Sequence, residues 1–175
     1  PGTFTAMGVT LAAAGSYHWF RRALGQYEQA EAARQGQSAF QLLDRGAAAT
    51  PPGADGLIFL PYLTGERCPI HDEKARGAFI GLTSLHEKGH FARAVMEGVA
   101  CSLRQVYELI VGSNQSWMES GEVVLAGGGA VSPLWRQIFA DCFQLPVRTV
   151  YGSAEGGSFG AALVAGVTAG IWPDL

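Results

Sequence analysis

The sequence predicts an α/β domain with a mixed sheet flanked by helices. Short apolar, β-branched runs alternate with helical runs along the chain. One long segment, residues 86–111, places Phe91, Val95, Val99, Leu103, Val106 and Ile110 at three- and four-residue steps, so one helix face is apolar. With 175 residues, 48% apolar and 15% charged, the chain can bury one core of ordinary size.

Taken in order, residues 3–10 alternate loosely and carry aromatic and β-branched side chains, which predicts a strand. Helices are expected over 12–24, 26–34 and 38–48, the last two rich in Ala, Gln and Glu. Thr50-Pro51-Pro52-Gly53 stops them. A short strand over 57–60 and another over 78–82 bracket a polar, irregular loop at 61–76. After the long helix, 114–121 reads as a polar connection. An apolar strand at 122–126 then runs into Gly127-Gly128-Gly129. Ser132-Pro133 opens a helix with Leu134, Ile138 and Cys142 on one face. A strand at 147–151 and a helix at 155–169 finish the pattern, and the Gly and Ala content of that helix predicts close approach to a neighbour.

Lys and Arg total 12 against 15 Asp and Glu, a net charge of -3, which argues against a nucleic-acid or anionic-membrane face. Backbone amides and helix ends can still hold a phosphate-bearing ligand. Cys68, Cys101 and Cys142 are odd in number and lack metal spacing, so they read as reduced thiols and the expected compartment is the cytoplasm. The chain opens Pro1-Gly2 and ends just after a helical run, which reads as a fragment with coding sequence missing before it.

The segment with most chemical content is Leu125-Ala126-Gly127-Gly128-Gly129-Ala130-Val131-Ser132-Pro133-Leu134-Trp135. Three glycines between a buried strand and a helix permit unusual backbone angles and let a flat ligand approach the main chain. The helix behind adds free amides and a positive dipole end. A plain strand-to-helix turn that needs glycine only for packing explains the same residues. No G-x-x-x-x-G-K-[ST] motif is present, and the glycine spacing is not G-x-G-x-x-G, which argues against P-loop and dinucleotide-binding folds.

A second segment is Gly77-Ala78-Phe79-Ile80-Gly81-Leu82, then seven residues, then His90-Phe91-Ala92-Arg93-Ala94-Val95-Met96-Glu97. Its spacing resembles, at every position, the second signature of the FGGY family of carbohydrate kinases. Leu60-Pro61-Tyr62-Leu63-Thr64-Gly65-Glu66-Arg67, Asp72 and Ala75-Arg76-Gly77 before it are similar to the xylulokinase branch, as is the run through Gly98-Val99-Ala100. Gluconate kinases share much of that pattern. The glycine turn with Ser132, Trp135, Gln137, Ala140-Asp141 and Pro146-Val147 resembles the family's adenosine motif.

The resemblance implies an actin-like (RNase H-like) domain, the C-terminal nucleotide-binding one, over residues 1–175 and incomplete at its N-terminal end. The implied reaction is phosphoryl transfer from Mg2+-ATP to a sugar hydroxyl, D-xylulose to D-xylulose 5-phosphate first. A gluconate or other sugar kinase is the alternative, and a non-catalytic nucleotide-binding module a further one. Carried over by position, Gly128, Gly129 and Ala130 would bound the adenosine, with Val131, Ser132 and Pro133 flanking it. Gly15, Tyr17 and His18 would face the nucleotide from a helix start. Ala14 departs from a common glycine there, and Val131 from a common basic residue. The family's catalytic Asp and phosphate-holding turn would precede this chain, so no catalytic residue is assigned and the isolated chain is expected to be inactive. The implied partners are ATP, a sugar and the enzyme's N-terminal domain; a homodimer stays open.

Other polar residues have simpler expected roles. His86 and His90, four apart, could pair on a metal, but His90 fits a helix start better. Glu97 is expected to anchor a neighbouring loop through Arg67 or Arg76. Asp141 is expected to order the glycine turn. Glu66 and Asp72 read as part of a lid or interdomain loop before a catalytic pair. Tyr62 and the four tryptophans read as core or edge packing.

Overall fold

The structure is a computed structural model that describes residues 5–113 and 121–174. Its elements are α1 (Ala13–Leu24), α2 (Gln26–Gln35), α3 (Ala39–Ala48), β1 (Ile58–Leu60), β2 (Ala78–Ile80), α4 (Lys88–Ser113), β3 (Val123–Leu125), α5 (Pro133–Phe143), β4 (Val147–Thr149) and α6 (Gly157–Thr168). The mixed character of the sheet is divided between two small sheets. β1 and β2 pair antiparallel, with Phe59 opposite Phe79, and β3 and β4 pair parallel, with Val124 opposite Arg148. The parallel pair needs a crossover, and α5 supplies it.

The long amphipathic helix organises everything else. α4 packs on α1, α3, α5 and β1. Val95, Met96 and Val99 from α4 are fully buried, together with Phe20 of α1 and Phe59 of β1. Rings extend this core: Trp19 stacks on Phe59, and Phe79 meets Phe59 on one side and Phe91 on the other. Gly98 is what lets α4 lie against β1, since a Cβ there would sit 2.2 Å from the Phe59 carbonyl oxygen. Any larger residue would force helix and strand apart.

The helix ends follow local chemistry. Ser38 caps α3 in a capping box: its hydroxyl accepts from the Phe40 N–H, and the Gln41 side chain accepts from the Ser38 N–H. Ser132 caps α5 by accepting from the Trp135 N–H, with Pro133 at the first helical position. Two histidines, His86 in the turn before α4 and His90 in its first turn, order the start of that helix. His86 Nδ1 accepts from the Thr83 N–H at 2.9 Å and His90 Nδ1 from the Glu87 N–H at 3.0 Å. Their Nε2 hydrogens then face Asp55, whose backbone oxygen lies 3.3 Å from His86 and whose carboxylate lies 3.1 Å from His90. The His90 ring caps α4 and the His86 ring holds the turn before it, and among the described residues no group of three His, Cys, Asp or Glu side chains gathers as a metal site.

The structure corrects four expectations. Residues 5–10 form no strand; a strand needs a hydrogen-bonded partner, and this segment instead lies against α4, where Gly8 approaches the Val106 side chain. Glu97 does anchor a loop, but by accepting from the Gly53 N–H at 3.1 Å while paired with Arg93 at 2.7 Å, not through Arg67 or Arg76. Arg76 bonds backbone carbonyls of its own loop. Asp141 accepts from Gln137 one turn back rather than ordering the glycine turn. Finally, α6 is apolar yet mostly exposed: only Gly166 is buried, beneath Trp172, and Gly157 and Gly160 meet nothing within 4 Å. Residues 114–120 of the predicted 114–121 connection, Trp117 among them, lie outside the described residues.

Candidate functional site

A cleft of about 400 Å³ opens between α1, α3 and the glycine turn. One wall is nearly bare backbone. Gly127 turns the chain with φ +84, a left-handed angle that favours glycine. Residues Gly128–Val131 then form a 3-10 turn that leads to the Ser132 cap. Open space lies beside Gly128, whereas a Cβ on Gly129 would sit 3.1 Å from the Trp135 ring. That ring is buried and fixed, because its Nε1–H donates to the Met96 carbonyl of α4 at 3.1 Å. A short chain of contacts therefore runs from the glycine backbone through Trp135 into the central helix.

The facing wall comes from α1 and α3. Tyr17 is buried and donates its hydroxyl hydrogen to Asp44 Oδ1 at 2.8 Å. Burial first, then the Asp44 carboxylate, pushes the Tyr17 phenol far above its ordinary range, so it remains a hydrogen-bond donor. The Tyr17 ring meets Phe40 and Trp135, each at 5.5 Å between centroids. His18 lies edge-on to Phe40 at 4.9 Å, and the Arg21 guanidinium sits over the same ring at 4.7 Å. Ser38, Gln41 and Asp44 put polar atoms on the wall. Rings, bare backbone and a few polar groups suit a flat ligand with one apolar face and one hydrogen-bonding edge.

Of the residues expected at a site, Tyr17, His18, Gly128, Gly129, Ser132 and Pro133 come together around this cleft, with Val131 beside them. Gly15 lies on the exposed surface of α1 and Ala130 is buried beneath the turn, so neither lines it. Ser38, Phe40, Gln41 and Asp44 were not expected. The Ser38-x-x-Gln41 capping box is the one local signal that marks this stretch, and it announces a helix start rather than a site.

The carboxylates of the 61–76 loop lie elsewhere. Glu66 is buried and accepts from the Thr10 hydroxyl at 2.6 Å, the Leu11 N–H at 3.0 Å and the Arg67 N–H at 2.7 Å. It ties the N-terminal segment to the loop. Asp72 accepts from the Lys74 N–H at 2.7 Å within its own turn. Tyr62 is partly buried, and burial followed by the charge of Glu66 raises its phenol.

Fold and cleft together define an α/β domain in which a bare glycine turn faces an aromatic wall across a cleft. The chain belongs to the FGGY family of carbohydrate kinases, whose C-terminal domain model matches residues 1–169. It is 39% identical over 165 residues to a xylulose kinase of Staphylococcus epidermidis, covering 94% of this chain and 30% of that relative. It is 36% identical over 146 residues to a gluconokinase of Bacillus subtilis, covering 83% of this chain and 28% of that one. The crystal structure of a ligand-bound xylulose kinase from Lactobacillus acidophilus superposes with a TM-score of 0.72 at 31% identity, over 94% of this chain and 31% of that chain. The chain thus spans under a third of the length of these relatives. Among the described residues, no helix is long and apolar enough to cross a membrane.

Proposed function

We propose that residues 1–175 are the nucleotide-binding C-terminal domain of an ATP-dependent sugar kinase that converts D-xylulose to D-xylulose 5-phosphate in the cytoplasm. The observation that carries this is the cleft between the glycine turn and the Tyr17–Asp44 wall, with its apolar faces and hydrogen-bonding rim. The adenine ring would lie against Gly128 and Gly129, bounded by Tyr17, His18 and Phe40 opposite. Ser132 and Pro133 would set the turn's shape by starting α5. Ala130 would act from beneath, by filling the space under the turn, and Gly15 by keeping the outer surface of α1 clear of side chains.

In phosphoryl transfer, catalysis is largely positioning and charge stabilisation, with a carboxylate to take the hydroxyl proton. This chain's share would be positioning: it would hold the adenosine end and exclude water from its faces. No residue here is assigned to the proton, the transferred phosphoryl group or Mg2+. A Mg2+ ion bound mainly by phosphates and water needs no dedicated cluster of protein ligands.

The similarity to proteins named xylulose kinase supports D-xylulose as the acceptor. The gluconokinase relative supports a second reading, in which a sugar acid is phosphorylated instead. A coupled ATP-consumption assay on the intact protein that carries this chain separates them, using D-xylulose, L-xylulose, ribulose, gluconate and glycerol. Selective turnover of D-xylulose is expected. Preference for gluconate would move the acceptor and keep the nucleotide site. ATP binding without turnover of any acceptor would favour a non-catalytic module.

A further inference from the structure

Cys101 on α4 and Cys142 on α5 come within 3.7 Å of each other, sulfur to sulfur, although they lie 41 residues apart in the sequence. Both belong to helices that pack side by side. Cys101 is exposed and Cys142 partly so, which leaves the pair open to small reagents. The geometry assigns to these residues a reversible oxidation site: we propose that a hydroperoxide converts Cys101 and Cys142 to a disulfide that joins α4 to α5.

The hydrogen bond within the pair, and its unequal exposure, divide the labour between the two sulfurs. The Cys142 S–H donates to Cys101, and this bond lowers the Cys101 thiol to about 7 against the opposing effects of burial and Glu97. The same bond, with burial, raises Cys142, while Arg104 draws it down and Glu108 pushes it up. Cys101, the more exposed sulfur and the acceptor of that bond, is therefore the attacking thiolate and Cys142 the resolving thiol. In the first step the Cys101 thiolate displaces hydroxide from the peroxide and becomes a sulfenic acid. In the second, the Cys142 sulfur attacks the Cys101 sulfur, the S–O bond breaks and water leaves. Overall two thiols and one hydrogen peroxide give one disulfide and two waters. Bond formation needs the sulfurs to close to about 2.05 Å, which side-chain rotation and a small slide of one helix past the other can supply.

The placement gives the bond a consequence. α5 is already tied to α4 at its C-terminal end, where the Arg104 guanidinium donates to the Phe143 carbonyl. Its N-terminal end carries Ser132, Pro133 and Trp135 of the cleft. Oxidation would add a covalent tie between the same two helices. Cys68 is in the loop that Glu66 anchors and has no part in this pair.

The test treats the reduced, folded protein with hydrogen peroxide at stoichiometric amounts, blocks free thiols by alkylation and maps tryptic peptides by mass spectrometry. Cleavage after arginine releases Cys101 in peptide 94–104 and Cys142 in peptide 137–148. The expected result is one species that links these peptides, lighter than their sum by two hydrogen atoms and separated again by dithiothreitol. In Cys142→Ser, Cys101 is expected to stop at a sulfenic acid that dimedone traps. In Cys101→Ser, Cys142 is expected to remain fully alkylatable. Recovery of both wild-type peptides in alkylated form, links that run mainly to Cys68 or to a second molecule, or dimedone-trapped Cys101 in the wild type would each overturn the proposal.

Discussion

Tyr17 on α1 donates its phenolic hydrogen to Asp44 on α3 at 2.8 Å, and this one bond joins the two helices that make the wall of the cleft. The Tyr17 ring itself stays packed between Phe40 and Trp135 whether or not the bond exists. Tyr17→Phe therefore separates the hydrogen bond from the packing. Asp44 is partly exposed and water can take over its acceptor, so the expected loss is about 1 kcal/mol in urea unfolding. If α1 and α3 hold a nucleotide between them and the glycine turn, ATP should also bind about fivefold more weakly. Lost stability with unchanged ATP affinity would put the ligand elsewhere.

The same hydroxyl makes the fold sensitive to alkali. Burial, then Asp44, holds the folded-state Tyr17 pKa above the ordinary value of 10.0 that an unfolded chain would show. A group raised in this way contributes its stability in full below about pH 10 and loses it as the pH climbs, because only the unfolded chain can ionise there. The slope is up to about 1.4 kcal/mol per pH unit. Urea midpoints between pH 8 and 11 should fall less steeply in Tyr17→Phe than in the wild type. Tyr62, also raised, leaves a residual slope in both. Parallel curves for the two proteins would contradict the assignment.

A side chain on Gly129 would crowd Trp135, since its Cβ would stand 3.1 Å from that ring. The ring cannot retreat cheaply because its Nε1–H is committed to the Met96 carbonyl. Gly129→Ala should then cost about 1–3 kcal/mol through overpacking and shift Trp135 fluorescence. Gly128→Ala meets open space inside the fold. It should leave stability nearly unchanged yet weaken ATP binding about tenfold or more, if the base lies on that backbone. Equal effects of the two substitutions on stability would show that the turn is not built as described.

What could be read from the sequence was what depends on neighbours along the chain. Ser132-Pro133 gave away the start of α5, and the spacing from Phe91 to Ile110 gave away the buried face of α4, because caps and periodicity are local. One wall of the cleft was legible for the same reason. Of the other, only Tyr17 and His18 were expected, through the family resemblance: Phe40, Gln41 and Asp44 reach the glycine turn only because α3 packs on α4 and α1, and no spacing along the chain encodes that contact. Residues 5–10 misled through their strand-like alternation, which says nothing of whether a partner strand is present. Glu97 was expected to find an arginine across a loop, but Arg93 lies one turn away on its own helix and is the nearer partner.

Arg93 is buried, and its bonds reach past Glu97 to the end of α3. Its guanidinium donates to the Thr50 carbonyl at 2.9 Å and to the Ala47 carbonyl at 3.4 Å. Those carbonyls belong to the α3 C-terminus and the turn after it, where a cation also meets the negative end of the helix dipole. Arg93→Met keeps most of the apolar stem and removes every one of these bonds. It is expected to cost about 3 kcal/mol, and Glu97→Gln about 1 kcal/mol because Glu97 keeps partial access to water. A double substitution should cost less than the sum, and strict additivity in denaturant titrations would mean that the two side chains do not act together.

Glu66 is the carboxylate whose loss should matter most to the fold. It is only 2% exposed and accepts from Thr10, Leu11, Arg67 and Cys68. Three of those donors are backbone N–H groups, which cannot turn away to find other acceptors. Glu66→Gln can keep an oxygen for the three N–H groups and turn its amide to the Thr10 hydroxyl, which can accept as well as donate, so the change removes the charge while the bonds can persist. About 2 kcal/mol should be lost, since charge-assisted bonds to three backbone N–H groups become neutral ones. Glu66→Asp keeps the charge but shortens the reach and should cost about as much. The first effect should appear where the bonds lead. Amide hydrogen exchange should rise at Leu11, Arg67 and Cys68 before it rises in α4, because the carboxylate fastens an N-terminal segment and a loop rather than the central core. Uniformly raised exchange across α4 at the same denaturant level would instead make Glu66 part of the core itself.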